Sequence, residues 1–410
     1  MSVAPPNSTT GRNAAYPVVL LAVFIDMVAF GMIIPLTPYY AQKFGASPDV
    51  VTLLMSTFSV CQLAVAWIWG WISDKWGRKP VLVLSLIGSA LAFTWLAFVD
   101  SLLMLFLARA FGGLVAGKLA VAQAYIADVT THAQRPKAMG LMGAAIGMGF
   151  ILGPAVGGLL AGGDAKNPNY LLPFLSAAGV SLLGVVMAIV LVREPVRHAP
   201  VGERVPRLKA ITTALGERRV ALPIVLLTLV SIALSGLESV AALWTERAFL
   251  WGPQENGYFF AFTGIVLALI QGGAVGPASK RFGVVPLCIF GTLIMALGLG
   301  ALPLAAMPWA FYAGAAVFCL GYGLGHPSLN SYLSIATPAH IQGAVMGASQ
   351  SAQSFARIVG PAFAGFCFAQ FGRDAPFIAG AAVLALAFLL AFLLKRPAEA
   401  APAKASDAVS

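Results

Sequence analysis

Charge is what this 410-residue chain has least of: Asp, Glu, Lys and Arg together make up 10% of it, against roughly 25% in an ordinary soluble domain. A chain that is 59% hydrophobic cannot cover its own exterior with polar groups, which excludes a soluble globular protein. Cysteine is scarce as well. Cys61, Cys288, Cys319 and Cys367 fall singly in apolar segments, with no spacing for a metal site or a disulfide framework, and small apolar packing is their expected role. No phosphate-binding Gly-Lys-Thr loop, metal-ligand cluster or catalytic triad occurs. ATP drive, a cofactor, a bound metal and an enzymatic activity are therefore not expected. A cleaved signal peptide is not expected either, because the first apolar run is too long and lacks a small-residue cleavage site.

What the chain does have is apolar runs of about 20 residues, the length that crosses ~30 Å of hydrocarbon as helix. Twelve spans are predicted, at 15–41, 49–73, 79–99, 101–128, 136–162, 170–193, 220–249, 254–278, 284–305, 307–335, 341–369 and 374–395. Inside a bilayer the backbone must satisfy its own hydrogen bonds, so helices are the expected state. The net charge of +10 is not a nucleic-acid footprint. With both termini cytoplasmic, Lys and Arg concentrate on cytoplasmic segments. Only Lys43, Lys166, Arg247 and Arg373 fall outside, and Arg109, Lys118 and Arg357 fall within spans. That asymmetry sets orientation, and the expected surroundings are membrane lipids.

The chain repeats itself. PVVLL at Pro17 matches PIVLL at Pro223, and GWISDKWG at Gly70 matches GPASKRFG at Gly276, both 206 residues apart. Tyr125, Thr130, Met139, Gly140, Ile151, Gly153, Pro154, Ala155 and Gly158 recur 207 residues on, from Tyr332 to Gly365. The reading is an all-α membrane protein of twelve transmembrane helices in two pseudo-symmetric six-helix bundles, over 1–193 and 220–395. A basic cytoplasmic linker over 194–219 joins them, with a short amphipathic helix on the leaflet surface, and 396–410 is a disordered cytoplasmic tail. Two such repeats, with a site at their interface, form a transporter architecture.

Between spans two and three stands GWISDKWGRKPVLVL, Gly70 to Leu84. Glycine suits the sharp turn, Pro80 suits the first turn of a helix, and Lys75, Arg78 and Lys79 suit the headgroups. Asp74 fits none of this, since an acid at the end of a helix opposes the helix dipole; it needs a partner. The stretch resembles the Gly-X-X-X-Asp-Arg-X-Gly-Arg-Arg/Lys loop of the major facilitator superfamily, and SDKWGRKPVLVLSLIGSA is similar to the tetracycline-type drug:proton antiporters. FIDMVAFGMIIPLTP, LARAFGGLVAGKLAVAQAYIADVT and GLMGAAIGMGFILGPAVGGLL extend the likeness over the chain. The resemblance implies a cytoplasmic latch in the outward-open state. In it Gly70, Asp74, Gly77 and Arg78 form the loop, Asp74 meets the start of span eleven near Gly343, and Arg78 pairs with Asp74 and Asp128. The second copy has Lys280 and Val284 in place of Asp74 and Arg78, so only the first copy is expected to latch.

Span five carries Gly140, Gly149, Gly153, Pro154, Gly157 and Gly158. Small residues let helices approach closely, and an internal proline favours a kink. Their full spacing resembles the signature of drug exporters and so implies export.

Ionisable groups inside spans are functional candidates, each requiring a partner. Asp26 and Arg109 lie ~16 Å from the cytoplasmic side and ~12 Å from the outer side, hence at similar heights, and are expected to interact directly or through water. Asp26 is the preferred proton carrier, against the alternative of a fixed structural pair. Lys118, half a turn out of phase with Arg109 on an ideal helix, cannot share the cavity with it unless Gly112, Gly113 or Gly117 permits distortion; it either attracts an anionic substrate or snorkels. Ala92 stands where tetracycline exporters carry an acid, and span nine lacks theirs too, which puts tetracycline itself in doubt. Glu238 and Arg357 are expected as a pair near the outer side with a structural or gating role. Gln123, Gln271, Tyr322, His326 and Asn330 are candidate cavity hydrogen-bonders. The function expected is secondary active export of a small amphipathic compound or drug against protons, by a monomer of the inner membrane working by alternating access. The alternatives are transport of another solute, a metabolite or organic anion, and, in a different class, a non-transporting receptor or scaffold.

Overall fold

A computed structural model describes residues 16–131, 134–164, 167–195, 216–338 and 341–394. Most of the predicted linker, the tail over 396–410 and Lys166 lie outside them. The described residues form helices and no strands. In chain order these are α1 (Tyr16–Lys43), α2 (Pro48–Trp76), α3 (Arg78–Ala97), α4 (Leu102–Val129), α5 (Arg135–Ala161) and α6 (Leu171–Leu191), then α7 (Arg218–Phe249), α8 (Pro253–Phe282), α9 (Val284–Leu304), α10 (Pro308–Ala336), α11 (Gln342–Phe371) and α12 (Ala375–Ala391). Among the described residues, α1 to α9 are each long and apolar enough to cross a membrane. Helices α10 and α11 are equally long but carry His326, Asn330, Gln353 and Arg357, and α12 is apolar and shorter, at 17 residues. Each of the twelve predicted spans has its helix.

Local sequence sets the breaks. Pro35 and Pro38 cannot donate to a helical ladder, and α1 is interrupted between Ile33 and Thr37. Helix α4 parts at Val115–Gly117, and α8 widens to a π-helical turn over Ile270–Ala274. The duplication is visible in the backbone. Gly77 (φ 116°) ends α2 and Gly283 (φ 81°) ends α8, both in the left-handed region that glycine tolerates.

Helix α1 packs on α5 and α6, α3 on α6, and α2 on α4; in the second half α7 packs on α11 and α12, and α9 on α10 and α12. Contact between the halves runs chiefly along α5–α8 and α2–α11. Those contacts are confined to one side, opposite the Gly70–Leu84 loop. There a Cβ on Gly158 would lie 2.8 Å from the Pro253 carbonyl oxygen, and one on Gly264 2.6 Å from Ile151 Cγ1. Ser56 Oγ donates to the Ile358 carbonyl (2.9 Å). Tyr39 Oη donates to the Trp251 carbonyl (2.9 Å) and accepts from Asn256 Nδ2 (2.6 Å). Toward the loop the same four helices part. Gly70 on α2, Gly140 and Gly147 on α5, Gly272 and Gly276 on α8, and Gly343 and Gly347 on α11 all face open space. The molecule therefore encloses a vestibule that is shut on the far side and open on the loop side.

Candidate functional site

The break in α4 builds the most distinctive feature of the first half. Three residues leave the helical ladder, and neighbouring helices satisfy the released groups. Trp69 Nε1 donates to the Leu114 carbonyl (2.8 Å), while Ser85 Oγ donates to the Val115 carbonyl and accepts from the Gly117 amide (3.2 Å). No side chain fits at Gly117, where the Trp69 ring packs against the backbone. Beyond the break the helix restarts at Lys118 with a new phase, which turns that side chain inward. Lys118 Nζ donates to Asp26 Oδ1 (2.6 Å) and to Ser89 Oγ (2.8 Å). Asp26 is 1% exposed and Lys118 7%, so the pair is withdrawn from bulk water. The other carboxylate oxygen, Oδ2, is buried with no hydrogen-bond partner.

This corrects the expected pairing of Asp26 with Arg109. Of the three glycines at which α4 could distort, Gly117 lies in the Val115–Gly117 interruption, so the half-turn offset of an ideal helix does not hold. Arg109 is 7% exposed, its Nε has no hydrogen-bond partner, and among the described residues it forms no ion pair. Its guanidinium lies over the Phe58 ring, 5.1 Å from the centroid. Phe58 in turn meets Phe30 at 5.3 Å, and Phe30 meets Phe150 at 6.2 Å. These half-buried rings come from α2, α1 and α5 and lie beside the closed end of the vestibule, since Ser56 and Ile151 are their chain neighbours.

On the second half, Glu238 and Arg357 interact electrostatically across α7 and α11 without a direct ion-pair contact, and both act on Tyr322. Both are accessible to solvent in mid-helix, so they line the vestibule. Tyr322 stacks on His326 (4.9 Å). His326 Nε2 is 3.1 Å from Gln353 Oε1, and Asn330 Nδ2 donates to the His326 carbonyl (3.0 Å). Gln123 and Gln271 are exposed, the latter within the π-helical turn of α8.

At the loop, Arg78 gathers the acids. Its Nη1 lies 2.7 Å from Asp74 Oδ1 and its Nε 2.9 Å from Asp128 Oδ2, and Nη1 also donates to Ser73 Oγ (2.6 Å). Glu194 accepts from the Arg78 and Lys79 amides (2.6 and 2.9 Å), a carboxylate at a helix N-terminus where free N–H groups favour it. A Cβ on Gly77 would lie 2.9 Å from Glu194 Oε1, so Gly77 is required by space and by φ alike. Among the described residues at the start of α11, Gly343 faces open space, and the Asp74 side chain, paired with Arg78, is 68% exposed.

Of the span-five set, Gly149, Gly153 and Gly157 press on α1, with a Cβ on Gly153 2.6 Å from the Val28 carbonyl oxygen, and Gly158 presses on α8. Gly140 is the exception, with nothing near it; it does not pack a helix in this state. The residues absent from the sequence reading are Ser85, Ser89, Trp69, Phe30, Phe58, Phe150, Gln353 and Glu194. Ser85 and Ser89, one turn apart in an apolar span, were the available signal for an inward polar stripe.

A family model described as Major Facilitator Superfamily matches residues 19–361 and 272–409. The chain is 32% identical over 359 residues to the tetracycline resistance protein, class C, of Escherichia coli, covering 85% of this chain and 88% of that one. It is 28% identical over 394 residues to multidrug resistance protein 1 of Bacillus subtilis, covering 94% and 98%. Among solved structures it is similar to a bacterial homologue of the human lysosomal transporter Spinster in an inward-facing, unoccupied conformation. The TM-score is 0.75 and the identity 17%, over 95% of this chain and 98% of that one.

Proposed function

The chain belongs to the Major Facilitator Superfamily, and from that premise we propose that it exports small amphipathic drugs across the cytoplasmic membrane in exchange for protons. The observation that carries this is the Asp26–Lys118 pair, an ion pair held out of bulk water in the vestibule half of a molecule open to one side only. A carboxylate with one oxygen bound and the other unsatisfied is poised to accept one proton at Oδ2. Gaining that proton cancels its attraction for Lys118, whose ammonium keeps Ser89. The pair then has two arrangements, which is what a coupled carrier requires.

Alternating access follows from the contacts. Closing the loop side brings α2 to α11 and α5 to α8 there, and parts them on the far side. Asp74 is positioned to meet the free N–H groups at the start of α11, which attract an anion, while Arg78 and Asp128 hold the loop. With the basic segments cytoplasmic, the open side faces the cytoplasm and both termini lie there. The halves divide at the linker over 194–219, and one chain completes the vestibule as a monomer. The relatives' names, tetracycline resistance protein and multidrug resistance protein, support drugs as cargo. Ala92, buried in an apolar setting, argues for drugs other than tetracycline.

The test uses inside-out vesicles energised with a proton gradient, to which amphipathic antibiotics are added singly. Gradient collapse by a drug in wild type and not in Asp26→Asn supports coupled exchange. Uphill export by Asp26→Asn at unchanged proton stoichiometry overturns the assignment.

A further inference from the structure

Five charged side chains lie deep within the helices that line or border the vestibule: Asp26, Arg109, Lys118, Glu238 and Arg357. Two are acids and three are bases. Lys118 neutralises Asp26 at 2.6 Å, and Glu238 answers Arg357 across α7 and α11. Arg109 is left over. It is more than nine-tenths buried, makes no ion pair among the described residues, and keeps a buried Nε without a hydrogen bond. Withdrawing a guanidinium from water without a counter-charge is costly; a fold that retains one is built to receive a negative charge there. The obvious internal candidate, Asp26, is taken by Lys118.

The surroundings say what kind of anion. Arg109 is stacked on Phe58, and Phe58, Phe30 and Phe150 form a continuous row of rings. A hydrated inorganic ion gains nothing from three aromatic faces. An organic carboxylate on an aromatic ring gains from both parts, because the planar guanidinium matches a carboxylate in a fork and the rings take the apolar body. The chain neighbours Ser56 and Ile151 lie where α2 meets α11 and α5 meets α8, so the row stands at the level of the closed end of the vestibule.

We propose that Arg109 and the Phe58–Phe30–Phe150 row form a subsite for an aromatic carboxylate group, so that the compounds this transporter takes carry an anionic aromatic moiety. The inference rests on the exporter reading above but is tested apart from it.

The experiment is equilibrium binding to the detergent-purified full chain, without a proton gradient, using 2-naphthoate, the neutral 2-naphthylmethanol and the cationic 2-naphthylmethylammonium as probes. Wild type is expected to bind the carboxylate about ten-fold more tightly than either other probe. Arg109→Gln should erase that preference while still binding the alcohol, and Arg109→Lys, a milder change should the first variant fold poorly, keeps the charge but loses the fork and should retain only part of it. Phe58→Leu should weaken acid and alcohol in parallel. Equal binding of acid and alcohol by wild type, or a preference that survives Arg109→Gln, overturns the proposal, as does displacement of naphthoate by chloride at equal concentration. Because binding is read without a gradient, loss of proton exchange in vesicles would leave this result standing, and proton exchange with cationic drugs alone would not rescue it.

Discussion

Replacing Lys118 with methionine strands Asp26. The carboxylate is 1% exposed, its Oδ1 has Lys118 Nζ at 2.6 Å, and its Oδ2 already lacks a partner. Removing one member of a buried ion pair typically costs about 3–5 kcal/mol, because a charge is left uncompensated, whereas replacing both by apolar groups of similar volume is close to neutral. At roughly 1.4 kcal/mol per factor of ten, either single change should lower the folding equilibrium constant by about two to three and a half powers of ten. The variants are Lys118→Met, Asp26→Leu and the double change, purified in one detergent and melted by intrinsic fluorescence. Both single variants should melt well below wild type, and the double variant should return most of the way. None should transport uphill, since the double variant recovers packing and not the proton site. If the singles melt like wild type, the pair is not the buried contact described. If the double is less stable than either single, the coupling has the wrong sign and the reasoning fails.

Tyr39→Phe removes the hydroxyl that bridges Trp251 and Asn256 on the far side, leaving buried partners unsatisfied at about 1–3 kcal/mol. Spin-label distances between the far ends of α1 and α7 should shift toward a longer, far-open population, and an unchanged distribution would remove Tyr39 from the gate. Gly153→Val forces a side chain into the Val28 carbonyl and should lower stability by about 1–3 kcal/mol. Gly140→Ala meets open space and should melt no lower than wild type, because alanine is the better helix former by about 1 kcal/mol. Crosslinking cysteines placed at Asp74 and Gly343 should trap a state closed on the loop side and halt transport; undiminished transport after complete crosslinking would exclude the latch.

The helices and their order were legible because hydrocarbon thickness fixes span length, and apolar runs of that length leave few alternatives. The repeat was legible too, and the backbone carries it down to the positive φ at Gly77 and Gly283. The Arg78 cluster could be anticipated from one acid in a basic loop. The partner of Asp26 could not. The glycines of α4 mark where the helix could distort, but which of them does so depends on Ser85 and Trp69, which lie on other helices. Nor does a sequence tell which side of a two-state molecule is shut, so the open space at Gly343 and the absence of Gly140 from the packed seam are properties of this conformation. Isolated phenylalanines in apolar spans look like lipid-facing bulk until the fold aligns them, as it does Phe58, Phe30 and Phe150.

The central claim is that the protonation of Asp26 selects which side of the vestibule is open. Spin labels on the loop-side ends of α2 and α11, in lipid nanodiscs without added drug, read that directly as buffer is taken from alkaline to acidic. Wild type should redistribute between a long loop-side distance, matching the open state described, and a short one in which Asp74 reaches the start of α11. Asp26→Asn, which cannot change its charge, should show one pH-independent distribution. A wild-type distribution that ignores pH, or an Asp26→Asn distribution that follows pH as wild type does, would contradict the account.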